Sequence, residues 1–181
     1  MQALLIVAIF VVPVLVMLGL GLTGWVPNAR SYGARIQPER NLATVPVQLS
    51  DGKAFAFSNG DAVWTLVALP GPDCAEECLR KLDLVHRAQI GLGQHADKLR
   101  LLYLGAEPAA FHGASSGSAA RAFTAAWTLA STPSAALDAF RATAPDSVSA
   151  VLVTPDGKAL TRYAAGFDAA GLRRDLVKAV H

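Results

Sequence analysis

Residues 63–85 read VWTLVALPGPDCAEECLRKLDLV, and this stretch decides the fold. Val63–Leu69 is apolar except for Thr65 and is bounded by polar residues and Pro70, the mark of a strand buried on both faces. Pro70-Gly71-Pro72-Asp73 cannot continue that strand and reads as a loop. A helix follows, predicted from about Cys74 to Gly93, with Cys78, Leu79, Leu82 and Val85 as its apolar stripe. A buried strand, a tight loop and a helix that begins with a cysteine pair are three parts of one unit.

The pair carries the chemistry. The chain has two cysteines, Cys74 and Cys78, and they lie one helical turn apart on one face. Free N–H groups and the dipole at a helix start lower a thiol's pKa, which favours a nucleophilic thiolate at Cys74. One turn of helix puts the two α-carbons about 6 Å apart, within reach of a disulfide. Two thiolates at that separation also suit Cu(I). Asp73, Glu76 and Glu77 crowd the pair with negative charge, which opposes thiolate formation and welcomes a cation. Thiol exchange, Cu(I) handling and a disulfide that only staples a helix end are the three uses the spacing permits.

The four histidines are weighed as further ligands. His86 lies two turns beyond Cys78, roughly 12 Å along the axis, too far to share a metal with the pair. His95 ends the helical region and His181 ends the chain. His112, in a loop, is the histidine able to fold back over the cysteines as a third ligand. No Ser-His-Asp order, phosphate loop or zinc spacing is present.

Outward from the centre, Val47–Leu49 and Ala54–Phe57 flank Ser50-Asp51-Gly52-Lys53 and predict a first hairpin. Leu99–Leu104 predicts a second buried strand. Gly105–Arg121, rich in Gly, Ser and Ala, reads as a loop, with a short strand at Ala125–Ala130 and a short helix capped by Ser134. Val148–Thr154 and Leu160–Tyr163 bracket the turn Pro155-Asp156-Gly157-Lys158, and Asp168 caps a last helix carrying Leu172, Leu176 and Val180. The order predicts an α/β fold, a thioredoxin-like mixed sheet flanked by helices over residues 45–181.

Ahead of it, Leu4–Leu22 is uncharged and spans roughly 28 Å as a helix, enough for one membrane crossing. Trp25 follows where an interface anchor is expected, and no A-x-A cleavage site stands nearby. Residues 1–26 therefore read as a transmembrane anchor, with a cleaved signal peptide as the rival, and 27–44 as a polar juxtamembrane linker. Arg30, Arg35 and Arg40 follow the apolar run, a bias that by the positive-inside rule points the domain to the cytoplasm. Net charge is +2 with no basic run, so nucleic acid is not an expected partner.

With an apolar strand ahead of Cys74-Ala75-Glu76-Glu77-Cys78, the chain resembles the SCO and SCO-like family of membrane-anchored, thioredoxin-fold cytochrome c oxidase assembly proteins. Val151 to Lys158 resembles the family's strand-turn-strand, and Gly166-Phe167-Asp168 the start of its closing helix. Ser31-Tyr32-Gly33 with Pro38 and Leu42, and Arg87-Ala88-Gln89, resemble a SCO-like subgroup encoded with bacterial oxidase genes. The resemblance implies copper as cofactor on Cys74 and Cys78, and as partner the copper-binding subunit of the oxidase or another copper chaperone. It also implies a single-pass protein of the bacterial inner membrane with a periplasmic domain, against the charge bias. The family's histidine ligand would fall in Pro145-Asp146-Ser147-Val148-Ser149, which contains none. Pro145 is also about two residues early for the cis-proline of ordinary thioredoxins. The first expectation is an oxidase assembly factor working by thiol exchange or Cu(I) transfer; a scaffold with a structural disulfide and a general tethered oxidoreductase are the rivals.

Overall fold

The structure is a computed structural model, and it describes residues 11–12, 31–58, 60–108, 111 and 117–180. The chain divides into two compact units, Met1–Ser31 and Tyr32–His181. In the first, Val11 and Val12 are helical and exposed; the rest of the apolar run read as an anchor lies outside the described residues. Among the described residues no helix is long and apolar enough to cross a membrane.

The second unit is built on β4 (Trp64–Pro70), the apolar run of the opening stretch. Six of its seven residues are buried, because strands pair on both its edges and both its faces are covered. β4 is parallel to β5 (Leu99–Leu104), with Leu66 opposite Leu101, and antiparallel to β7 (Val148–Val153), with Leu66 opposite Leu152. β5 is parallel to β6 (Thr128–Ser131), and β7 forms the closing hairpin with β8 (Lys158–Tyr163). The first hairpin, β2 (Val47–Leu49) and β3 (Ala54–Phe55), continues the sheet beyond β6. At the other edge β1 (Ala34–Asn41) pairs antiparallel with β8. The sheet order is β1-β8-β7-β4-β5-β6-β2-β3.

The helices α1 (Glu76–Ile90) and α3 (Ala169–Val180) pack together over one face. Leu82, Val85, Leu172 and Leu176 bury there against Leu66, Leu101 and Leu152. Each such side chain contributes about 1.5–3 kcal/mol by leaving water. Phe123 of α2 (Gly117–Ala126) and Trp127 join the same cluster. On the other face the 3₁₀ helix Ala135–Phe140 brings Leu137 and Phe140 into a cluster with Val67, Leu102 and Val151, joined by Leu42 and Phe57. Ser134 caps that turn, its hydroxyl accepting from the Ala136 N–H at 3.2 Å.

Three expectations are corrected. Residues 34–41, read as part of a linker, form the edge strand β1, and the compact unit begins at Tyr32. An edge strand that buries only Ile36 lacks the alternation that betrays a strand, and Pro38 is tolerated there because an edge residue has no second partner to donate to. The loop expected up to Arg121 ends earlier, at α2. Alanine's high helix propensity, with Phe123 and Trp127 one turn apart on the core side, outweighs the serines and glycines. The strand expected at Ala125–Ala130 accordingly begins later, at Thr128.

The start of β1 is fastened to α3. The Asp175 carboxylate, buried in α3, accepts from the Gly33 N–H at 2.8 Å and the Tyr32 N–H at 3.0 Å. The Tyr163 hydroxyl donates to the same carboxylate at 3.4 Å. The Tyr32 ring lies on Gly171, where a β-carbon would fall 2.5 Å from the ring, and its hydroxyl accepts from the Asp168 N–H at 2.6 Å.

Candidate functional site

β4 ends at Pro70, and the next three residues are held by a second loop. The Gly71 N–H donates to Ser147 O at 2.8 Å, and the Asp146 N–H to Pro72 O at 3.2 Å, so the β4–β7 ladder runs on past both strands. Gly71 must be glycine for that approach: a β-carbon would lie 2.3 Å from the Ala144 carbonyl oxygen. Asp73 and Asp146, one on each loop, both have positive φ, 56° and 47°. Aspartate reaches this region more readily than most residues, at a cost of about 1 kcal/mol or more.

Cys74 and Cys78 are joined by a disulfide with α-carbons 5.2 Å apart. The helix starts just inside the bridge, with Ala75 as its N-cap and no side-chain cap of its own. Alanine cannot accept the first-turn N–H groups, which otherwise go unsatisfied. The cap comes instead from Asp146. One of its carboxylate oxygens, Oδ1, accepts from Ala75 N–H and Cys78 N–H, each at 2.9 Å, and Oδ2 accepts from Glu77 N–H at 3.0 Å. The N–H groups of Cys78 and Glu77, with a smaller part from Ala75, hold the Asp146 carboxyl below the usual carboxylate range. It is ionised at neutral pH and sits on the positive end of the helix.

The sulfurs are unequal. Cys78 is fully enclosed, while Cys74 is 9% exposed and edges a cleft of about 870 Å³. Pro70, Leu79, Tyr103 and Pro108 give that cleft apolar walls, and Asp73 and Glu76 stand at its rim. The Arg141 guanidinium donates to Pro70 O at 3.2 Å and Leu104 O at 3.0 Å, closing the carboxyl ends of β4 and β5. The Tyr103 hydroxyl donates to Ala106 O at 3.1 Å, and burial pushes its phenol up to about 12.

The predicted residues are thus partly brought together. Cys74 and Cys78 meet. Of the expected acidic neighbours, Glu77 is turned to Arg80, whose hydrogen bond to it holds its carboxyl below the usual range. Asp73 and Glu76 are exposed. His86 is on α1 beside a separate apolar groove, and His95 is in the 3₁₀ turn Gly93–Lys98. His112 and His181 lie outside the described residues. Among the described residues no three or more His, Cys, Asp or Glu side chains are grouped to hold a metal ion. Asp146 stands in the segment where a histidine ligand was looked for, and both of its oxygens are committed to helix N–H groups. Asp146 therefore does not stand in for the histidine that the resemblance placed in this segment. The sole cis peptide among the described residues is Gln37–Pro38, in β1, not at Pro145.

Asp146 is the residue that the sequence reading missed. It acts on amides 68 to 71 positions earlier in the chain. The local trace of it is the N-cap of α1, Ala75, which has no capping side chain.

Solved structures share this fold. BsSco, a member of the Sco family of cytochrome c oxidase assembly proteins with an identified disulfide switch, superposes with a TM-score of 0.52 at 18% identity, covering 81% of this chain and 97% of that one. A candidate thiol:disulfide interchange protein DsbE from Chlorobium tepidum gives 0.50 at 13% identity, over 82% and 97%. A candidate thioredoxin from Neisseria meningitidis gives 0.51 at 14% identity, over 82% and 89%. No curated protein matches the sequence. The family described as "Transmembrane-like, thioredoxin-like, C-terminal domain" matches residues 64–180, well over half of the chain and all of the site from β4 to α3. By that match, the chain belongs to the transmembrane-like, thioredoxin-like C-terminal domain family.

Proposed function

We propose that this protein is a thiol–disulfide oxidoreductase that donates electrons to disulfides of partner proteins, held at a membrane by its N-terminal apolar run. One observation carries the reading: the Cys74–Cys78 disulfide lies at the N-terminal end of α1, with Cys74 at the edge of a cleft and Cys78 enclosed behind it. That asymmetry supports a division of roles. In the reduced protein the Cys74 thiolate attacks one sulfur of a partner disulfide, forming a mixed disulfide and releasing the other partner sulfur as thiolate. The Cys78 thiolate then attacks Cys74 Sγ, closing the internal disulfide and releasing the second partner thiolate. Two electrons and two protons pass to the partner, and a dithiol reductant must restore the pair. The direction follows from the charges: carboxylates around the site disfavour the reduced, thiolate-bearing form, which makes the pair the donor.

The finer reading rests on the cysteine motif and on the resemblance to the Sco family. The proposed partner is the copper-binding subunit of a haem-copper oxidase, whose paired cysteines must be reduced before they take metal. The test uses a peptide carrying that subunit's cysteine pair in its oxidised form. The reduced protein should convert it to dithiol one for one, and Cys78→Ser should stop at a mixed disulfide through Cys74. A protein that reduces a generic oxidised dithiol peptide but ignores this one would remove the oxidase partner and leave the oxidoreductase. Failure on both peptides, with no mixed disulfide in Cys78→Ser, would leave a structural staple.

A further inference from the structure

Two loops with residues at positive φ are zipped together, and they deliver the Asp146 carboxylate to the start of α1. Its N–H partners are those of Ala75, Glu77 and Cys78, the first-turn donors that bracket the sulfurs. An α-helix of this length presents about half a positive charge at its N-terminus, spread over those unpaired N–H groups. Where the end is open, this charge stabilises a cysteine thiolate and so stabilises the dithiol state. Here the end is filled by a carboxylate that is present in both redox states. The disulfide is neutral and indifferent to that charge; a thiolate is not.

We propose that Asp146 is a positioning residue that sets the Cys74–Cys78 couple to the reducing side, by occupying the N–H groups of α1 that a Cys74 thiolate would otherwise use. The inference rests on the redox reading above and deepens it. The other carboxylates near the pair act in the same sense: Asp73 and Glu76 are exposed, and Glu77 is paired with Arg80. Asp146 is the one locked by three hydrogen bonds, so its contribution is not averaged away by side-chain motion. Asparagine at 146 keeps an acceptor oxygen for the cap and removes the charge. Serine keeps a shorter neutral cap. In both, reduction of the pair no longer places a thiolate beside a fixed anion.

The experiment is equilibration of the domain from Ser31 onward, as the unaltered protein, Asp146→Asn and Asp146→Ser, with reduced and oxidised dithiothreitol. In this exchange the reagent's two thiols become its cyclic disulfide as the protein gains two electrons and two protons. The neutral variants should shift the equilibrium constant at least tenfold toward the dithiol, which is about 30 mV for a two-electron couple. A second measurement covers a variant that unfolds on oxidation. After phosphine reduction in a Cys78→Ser background, iodoacetamide should alkylate Cys74 several-fold faster at pH 7 in the Asp146→Asn protein. A shift under twofold in both variants, or an unchanged alkylation rate, overturns the assignment. Dithiothreitol needs no biological partner, so a protein that fails on peptide disulfides but shows the tenfold shift removes the function and leaves the role of Asp146 standing.

Discussion

Replacing Asp175 by alanine tests whether the start of β1 belongs to the fold. Asp175 is 7% exposed and accepts the Gly33 and Tyr32 N–H groups at 2.8 and 3.0 Å. Alanine removes that acceptor and fills nothing. Tyr32 is exposed enough for water to replace the lost bond, so its share is small. Gly33 is buried, and its N–H is left without this partner. A hydrogen bond to a charged group contributes about 1.5–3 kcal/mol, and a buried donor left unmade costs about 1–3 kcal/mol. The long Tyr163 contact, at 3.4 Å, adds less. Relief from burying a carboxylate offsets part of this. The balance is a loss of about 2–4 kcal/mol, which for a unit of this size lowers Tm by about 6–12 °C. Thermal unfolding followed by circular dichroism reads the shift, and amide exchange along residues 34–41 should accelerate with it. A Tm within about 2 °C of the unaltered protein, with β1 still protected, would refute the claim that this carboxylate fastens the strand.

Three shorter predictions follow from the site. Gly71→Ala pushes a β-carbon toward the Ala144 carbonyl, 2.3 Å away as the backbone stands, and should cost about 1–3 kcal/mol in urea unfolding. The displaced loop carries Asp146, so the redox midpoint should also rise, in the same direction as for Asp146→Asn. Tyr103 should titrate near pH 12 by absorbance at alkaline pH, because burial disfavours its phenolate. The unfolded chain loses that proton near the ordinary tyrosine value, about 10, so it binds fewer protons than the native state above it. Stability present below about pH 10 is therefore lost as pH rises toward about 12; a phenol that titrates normally would contradict the buried placement.

The central strands were legible for a simple reason: a strand covered on both faces is apolar nearly throughout, as Val63–Leu69 is except for Thr65 and Leu99–Leu104 except for Arg100. The closing hairpin was legible from its turn chemistry, with Gly157 at φ 83° where the turn requires it. The cysteine pair was legible because a separation of four residues keeps two α-carbons within bridging distance: they stand 5.2 Å apart against the expected 6 Å or so, although Cys74 precedes α1 and does not begin it as the sequence suggested. What the sequence hid was set by tertiary contact. β1 has one buried residue among eight and takes its conformation from β8, so its polar sequence looks like a linker. α2 is short and rich in small residues, and it is Phe123, packed against Tyr103, Phe111 and Trp127, that fixes it. Asp146 follows a proline before a strand, where an aspartate ordinarily signals a turn; its action on Ala75, Glu77 and Cys78 exists only once β4 and β7 pair. The sequence reading did place a charged surround at the cysteines; within it, Glu77 is taken up by Arg80.

The central claim, that Cys74 and Cys78 form a cycling donor couple, is tested most directly by the dithiol–disulfide midpoint of the unaltered domain at pH 7, read by thiol trapping across a graded redox buffer. The account predicts a reversible two-electron transition between about −300 and −230 mV, on the reducing side but above the range of inert structural bonds. A midpoint below about −300 mV would mean a bond that partners cannot use, and would contradict it.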